Sequence, residues 1–167
     1  MITSGNKNKL IADLAMMDLD PKKTYTLEVK EKPKKFSRNA QSYYWALIHK
    51  YALWSHKSDT YWHNRIMEGF GEDRTLCGET VWVLLPDGVN YYEDPHNHLK
   101  WTNHTREGKD GRLYRWFIQK EDSHNYNSAQ FSRLIDGLIE EIQGSAAPIQ
   151  TMTPNELERL KGYEAAL

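Results

Sequence analysis

The spacing of apolar residues predicts an α+β fold, a small antiparallel or mixed sheet packed against several helices. Three observations carry it. Residues 36–54 and 128–143 place apolar side chains every three or four positions, the period of one helical face. Thr24–Lys30, Thr80–Leu85 and Leu113–Gln119 are rich in β-branched and aromatic residues, and the first alternates apolar with polar. Helical and extended segments are interleaved, with no internal repeat and no low-complexity tract.

Taken in order, residues 6–18 carry Leu10, Ile11, Leu14 and Met17 at helical spacing, and Asp20-Pro21 ends this short amphipathic helix. Thr24–Lys30 sets Tyr25, Leu27 and Val29 against polar neighbours, as a half-buried strand does. Residues 30–36 contain Pro33 among lysines and form a basic loop. The helix that follows reaches about Trp54, with Ala40, Tyr44, Leu47, Ile48 and Tyr51 on one face. Ser37 or Asn39 can cap it, because a short oxygen-bearing side chain accepts from the unpaired amides of a first turn. Ser58 or Asp59 caps the next helix, which buries Trp62, Ile66, Met67 and Phe70 and stops at Gly71.

Thr80–Leu85 is a strand broken by Pro86-Asp-Gly88. Residues 88–112, rich in Gly, Asn, Asp and His, read as a long loop with a short strand near Leu99 to Thr102. Residues 108–112 turn the chain back into the strand Leu113–Gln119. From Ser128 to Gln143 the stripe Phe131, Leu134, Ile135, Leu138, Ile139, Ile142 marks the clearest helix, capped by Asn127 with Gln130 and closed by Gly144. Thr153-Pro-Asn-Glu156 is a capping box with Pro at the first helical position, so a last helix spans 153–162.

With 167 residues, 39% of them apolar, the chain is expected to form one domain over 1–167 with a sizeable core. Most of its six Trp and ten Tyr are expected to fill that core. The lone Cys77 excludes an intramolecular disulfide and a multi-cysteine zinc site, which fits a reducing cytoplasm. No apolar run approaches the ~18 residues of a membrane span, and Met1 to Asn8 lacks the apolar core of a signal peptide. The expected location is cytoplasmic, with no membrane partner.

A formal net charge of −1 gives no global field that draws in nucleic acid. The charge is nonetheless segregated. Residues 22–38 hold seven basic side chains against two acidic, and residues 100–120 hold six against two. From Asp136 onward the balance reverses to two against six. Cations neutralise phosphates and release counterions, and aromatic faces stack on unpaired bases. The nucleic-acid candidates are therefore Lys32, Lys34, Lys35, Arg38, Gln41 and Tyr43 from the first segment. The second supplies Lys109, Arg112 and Arg115, with Trp101 or Trp116 as the stacking ring. A solvated lysine loop is the plainer reading of either segment alone.

Asp94, His96, His98 and His104 form the densest set of metal-capable side chains, and a metal-dependent nuclease is the alternative they raise. No second ligand cluster at a familiar spacing accompanies them. Gly-x-Ser-x-Gly, a phosphate-binding glycine loop and His-Glu-x-x-His are all absent, so no catalytic residue or cofactor is assigned. His56 and His63, near the start of the second long helix, read as surface or hydrogen-bonded histidines.

Arg38-Asn-Ala-Gln-Ser-Tyr-Tyr-Trp-Ala46, after a strand and a basic loop, resembles the phage recombination protein NinB (lambda Orf) family. Ser132–Asp136 followed by Ile149–Pro154 also resembles phage-encoded proteins often found among recombination genes. The family's Gln-Asn pair corresponds here to Ala40-Gln41. The resemblance implies a homodimeric mediator that binds single-stranded or gapped DNA. Such a mediator loads a recombinase or strand-annealing protein past a single-strand-binding protein, with no chemistry of its own. Its matching residues are Arg38, Gln41, Tyr44 and Trp45, the last assigned to packing. A third reading is a phage protein-interaction module, such as an inhibitor of a host defence protein, using the acidic C-terminal helices.

Overall fold

The computed structural model describes residues 7–18, 20, 22, 36–153, 155–157 and 159. The predicted strand 24–30 and basic loop 30–36, except Phe36, lie outside them, and of the predicted helix 153–162 the residues 155–157 and 159 are helical. The chain divides into two compact units, 1–32 and 33–167, each described here by itself. The first contains helix α1 (Lys7–Ala15), whose Ile11 and Leu14 are exposed.

The second unit is α+β. Helices α2 (Arg38–Ser55), α3 (Asp59–Phe70) and α4 (Ser128–Gly144) pack on one another. Their starts follow the caps legible in the sequence. Ser37 accepts from the Ala40 amide at 3.0 Å, and Ser58 accepts from Tyr61 at 2.9 Å. Asn127 and Gln130 form a reciprocal capping box at 2.9 Å in each direction. The core joins Tyr44, Leu47, Ile48 and Tyr51 of α2 to Ile66 and Met67 of α3 and to the apolar stripe of α4.

At Gly137 the backbone of α4 passes against the Phe70 ring of α3, and a Cβ added there would overlap that ring. Alanine is intrinsically the better helix former by ~1 kcal/mol. Overpacking against the ring costs about 1–3 kcal/mol and outweighs that gain. Gly137→Ala is therefore expected to lower the urea midpoint, and Phe70→Leu in the same chain to restore part of it. An unchanged or higher midpoint counts against this packing.

Strands β1 (Thr75–Leu76) and β2 (Glu79–Thr80) form a small hairpin. Strands β3 (Trp82–Pro86), β4 (Leu99–Glu107) and β5 (Leu113–Gln119) form an antiparallel sheet in the order β3-β5-β4. Sequence reading merges β2 and β3 into one strand and leaves most of β4 in a loop. The reason for the second error is compositional. Asn103 to Glu107 is polar throughout and exposed, so its strand conformation comes from pairing with β5 rather than from its own side chains. No described helix is long and apolar enough to cross a membrane.

Candidate nucleic-acid interface

The register of the sheet decides which side chains are available to a ligand. Val83, Phe117 and Trp101 stand opposite one another across β3, β5 and β4, so they share one face. Phe117 is fully buried, with its ring 4.9 Å from Trp101 and 5.3 Å from Tyr91. Helix α3 makes the extensive helix contact on the sheet, and it does so through β4. Glu68 of α3 accepts from the Trp101 amide at 3.2 Å and from the Tyr92 hydroxyl at 2.6 Å. This is the inner face.

By alternation, Trp82, Leu84, Trp116 and Ile118 stand on the outer face. Trp82 is 44% exposed there, close to Trp54 at 43% on α2. The register shifts between Trp101 and Thr105, and this bulge brings the His104 ring to 6.3 Å from Trp82. Trp82, Asn103, His104, Thr105, Arg106 and Trp116 line an open depression of about 800 Å³. A second, of about 330 Å³, is lined by Leu84, Arg106, Tyr114 and the hairpin residues 107–110. Lys100, Arg106, Lys109 and Arg112 are exposed on this sheet and its hairpin. Arg112 faces Asp110 only loosely, at 3.8 Å. The arrangement can stack flat rings and hold anions beside them.

The residues named from sequence are placed unevenly. Arg112 is exposed on the β4–β5 hairpin and Trp116 lies on the outer face. Arg115 is one residue away and therefore on the opposite face. Its guanidinium pairs with Asp87 at 2.7 Å, donates to the Thr102 carbonyl at 2.5 Å and lies over the Trp101 ring. The Arg115 hydrogen bond holds the Asp87 carboxyl below its ordinary range. Arg115 and Trp101 thus hold the sheet together and are not open to a phosphate or a base. Tyr43 is half-buried against the helical core, and its hydroxyl accepts from the Met152 amide at 2.8 Å, so it is no free stacking ring. Arg38 is exposed in the first turn of α2 and Gln41 is partly buried there. Lys32, Lys34 and Lys35 lie outside the described residues.

The structure does not assemble the alternative metal site. Asp94 accepts from the His96 amide at 2.9 Å and the Asn97 side chain at 2.8 Å, bonds that hold its pKa low. His98 turns toward α3, with Nδ1 2.5 Å from Asn64 Oδ1, while His104 stands beside Trp82. Among the described residues no group of three or more His, Cys, Asp or Glu is placed to hold a metal ion.

Sequence reading missed Trp82 and His104 as neighbours of Trp116. The alternation of Trp82 with Val83 is visible in the sequence, but which strand lies beside which is not. No protein-family model matches the chain, and no curated protein or solved structure is significantly similar to it.

Proposed function

We propose that the protein binds single-stranded DNA on the outer face of its three-stranded sheet, without chemistry of its own. One observation carries this reading: the exposed Trp82 and the half-buried Trp116 share an open depression with Arg106. Unpaired bases present ring faces that tryptophan can stack on, at about 1–3 kcal/mol per base. In duplex DNA those faces are already stacked, so exposed sheet tryptophans favour the single strand. The cations around them supply the phosphate attraction that a near-neutral chain lacks overall.

The resemblance of Arg38–Ala46 to the NinB family supports the same substrate. On this reading the protein is a cytoplasmic, homodimeric recombination mediator that hands the strand to a recombinase or displaces a single-strand-binding protein. The free thiol of Cys77 suits that compartment.

The test is a fluorescence-anisotropy titration of an oligothymidylate and a duplex of equal length across a salt series, with and without divalent metal. Engagement of three or four cations gives a log–log salt slope of about −2 to −3, at ~0.7 per phosphate for single strands. The single strand is expected to bind at least about tenfold more tightly, roughly one stacked base. Salt-independent affinity, preference for the duplex, or metal-dependent nicking overturns the proposal.

A further inference from the structure

The two outer-face depressions are adjacent, and Arg106 lines both. In the sheet Arg106 pairs directly with Tyr114, and Trp116 lies two residues further along β5 on the same face. Same-face neighbours on a strand are about 7 Å apart, close to the step of one extended nucleotide. Each depression has an aromatic floor of its own, Trp82 with Trp116 in the larger and Tyr114 in the smaller. Tyr114 is fixed in place by its hydroxyl, which donates to Asp110 at 3.0 Å. Arg106 enters no ion pair among the described residues, whereas Arg65, Arg115 and Arg133 all do.

We infer that the recognised unit is a two-base step of single-stranded DNA, one base in each depression, with Arg106 on the phosphate that joins them. This rests on the proposed single-strand binding and specifies how that site reads its ligand. A planar guanidinium between two ring sites matches a bridging phosphate, because it donates to two oxygens at once. A lone nucleoside fills one depression and leaves the cation without its anion. A dinucleotide fills both and satisfies it.

The experiment follows tryptophan fluorescence at low salt while adding thymidine, thymidine 5′-monophosphate, the dinucleotide TpT or a twelve-residue oligothymidylate. TpT is expected to bind at least about tenfold more tightly than the monophosphate, although it carries less charge. Arg106→Gln is expected to remove most of the gain of TpT over the monophosphate while leaving thymidine unchanged, and to reduce the oligothymidylate salt slope by ~0.7. Arg106→Lys keeps the charge but loses the fork, and should recover the slope without recovering the full preference. If the long oligonucleotide binds but TpT gains nothing over the monophosphate, or Arg106→Gln leaves that gain intact, the two-base step is wrong and single-strand binding stands. Failure of the long oligonucleotide to bind overturns both.

Discussion

Acidification from neutral pH to pH 4.5 is expected to destabilise the fold by ~3 kcal/mol, before most carboxylates titrate. The cause is His63, on the buried side of α3. Its Nδ1 lies 2.9 Å from the Tyr44 hydroxyl, its ring is 4.8 Å from Trp45, and the His98 ring is 5.0 Å away. Burial is the largest influence and pushes its pKa from 6.5 down to about 3, with His98 and His124 adding to the effect and Asp122 opposing it. His98 is lowered too, first by burial, with Asp122 and Asp94 pulling the other way.

A base whose folded pKa lies below its unfolded one stays neutral in the fold while the unfolded chain takes up a proton. Stability is then undiminished above pH 6.5 and is lost as pH falls through the window from 6.5 to about 3. At ~1.4 kcal/mol per unit the full window is on the order of 5 kcal/mol, a large part of a small domain's total. Asp87 and Asp94 have lowered pKa values, so their stabilisation starts to be lost as pH falls into the ordinary carboxylate range near ~4 and continues to be lost below it. The interval from pH 6.5 to 4.5 therefore reports the histidines. Urea denaturation across that interval should show a falling midpoint in the native protein and a flatter profile in His63→Gln. Parallel profiles for the two would remove His63 as the cause.

The same cluster shows what a sequence can and cannot reveal. The helices were legible because their evidence is local: Ser37, Ser58 and Asn127 each cap the turn that follows them, and the stripe from Phe131 to Ile142 sets its own period. His63 lies in an equally legible helix, yet its meaning depends on Tyr44, nineteen residues earlier, and on His98, in a connection without periodicity. Asn64 fastens that connection by donating to the carbonyls of Tyr92 and Asp94 at 2.9 and 2.8 Å. The interface was half legible for a related reason. Counting charge picks out residues 100–120, but a strand sends neighbours to opposite faces, so Arg106 and Arg115 fall on opposite faces once the register is fixed. Nothing in the residues from Asn103 to Glu107 alone indicates that they pair with β5.

Removing both outer-face tryptophan rings should abolish most binding to single-stranded DNA while leaving the fold in place. Trp82→Ala with Trp116→Ala deletes the aromatic floor of the larger depression; at about 1–3 kcal/mol for the base stacked there, affinity should fall on the order of 10- to 100-fold. The helical core does not include either ring, and the buried Phe117 stays packed on Trp101 and Tyr91 on the other face. Circular dichroism and the urea midpoint can confirm that the variant is folded. Trp82→Phe with Trp116→Phe keeps an aromatic face at both positions and should recover much of the loss, which a general weakening of the sheet would not allow. The salt slope should change little in either variant, because no cation has been removed. A folded double-alanine variant that binds oligothymidylate as tightly as the native protein would show that the strand lies elsewhere on the molecule, with the bases away from this face.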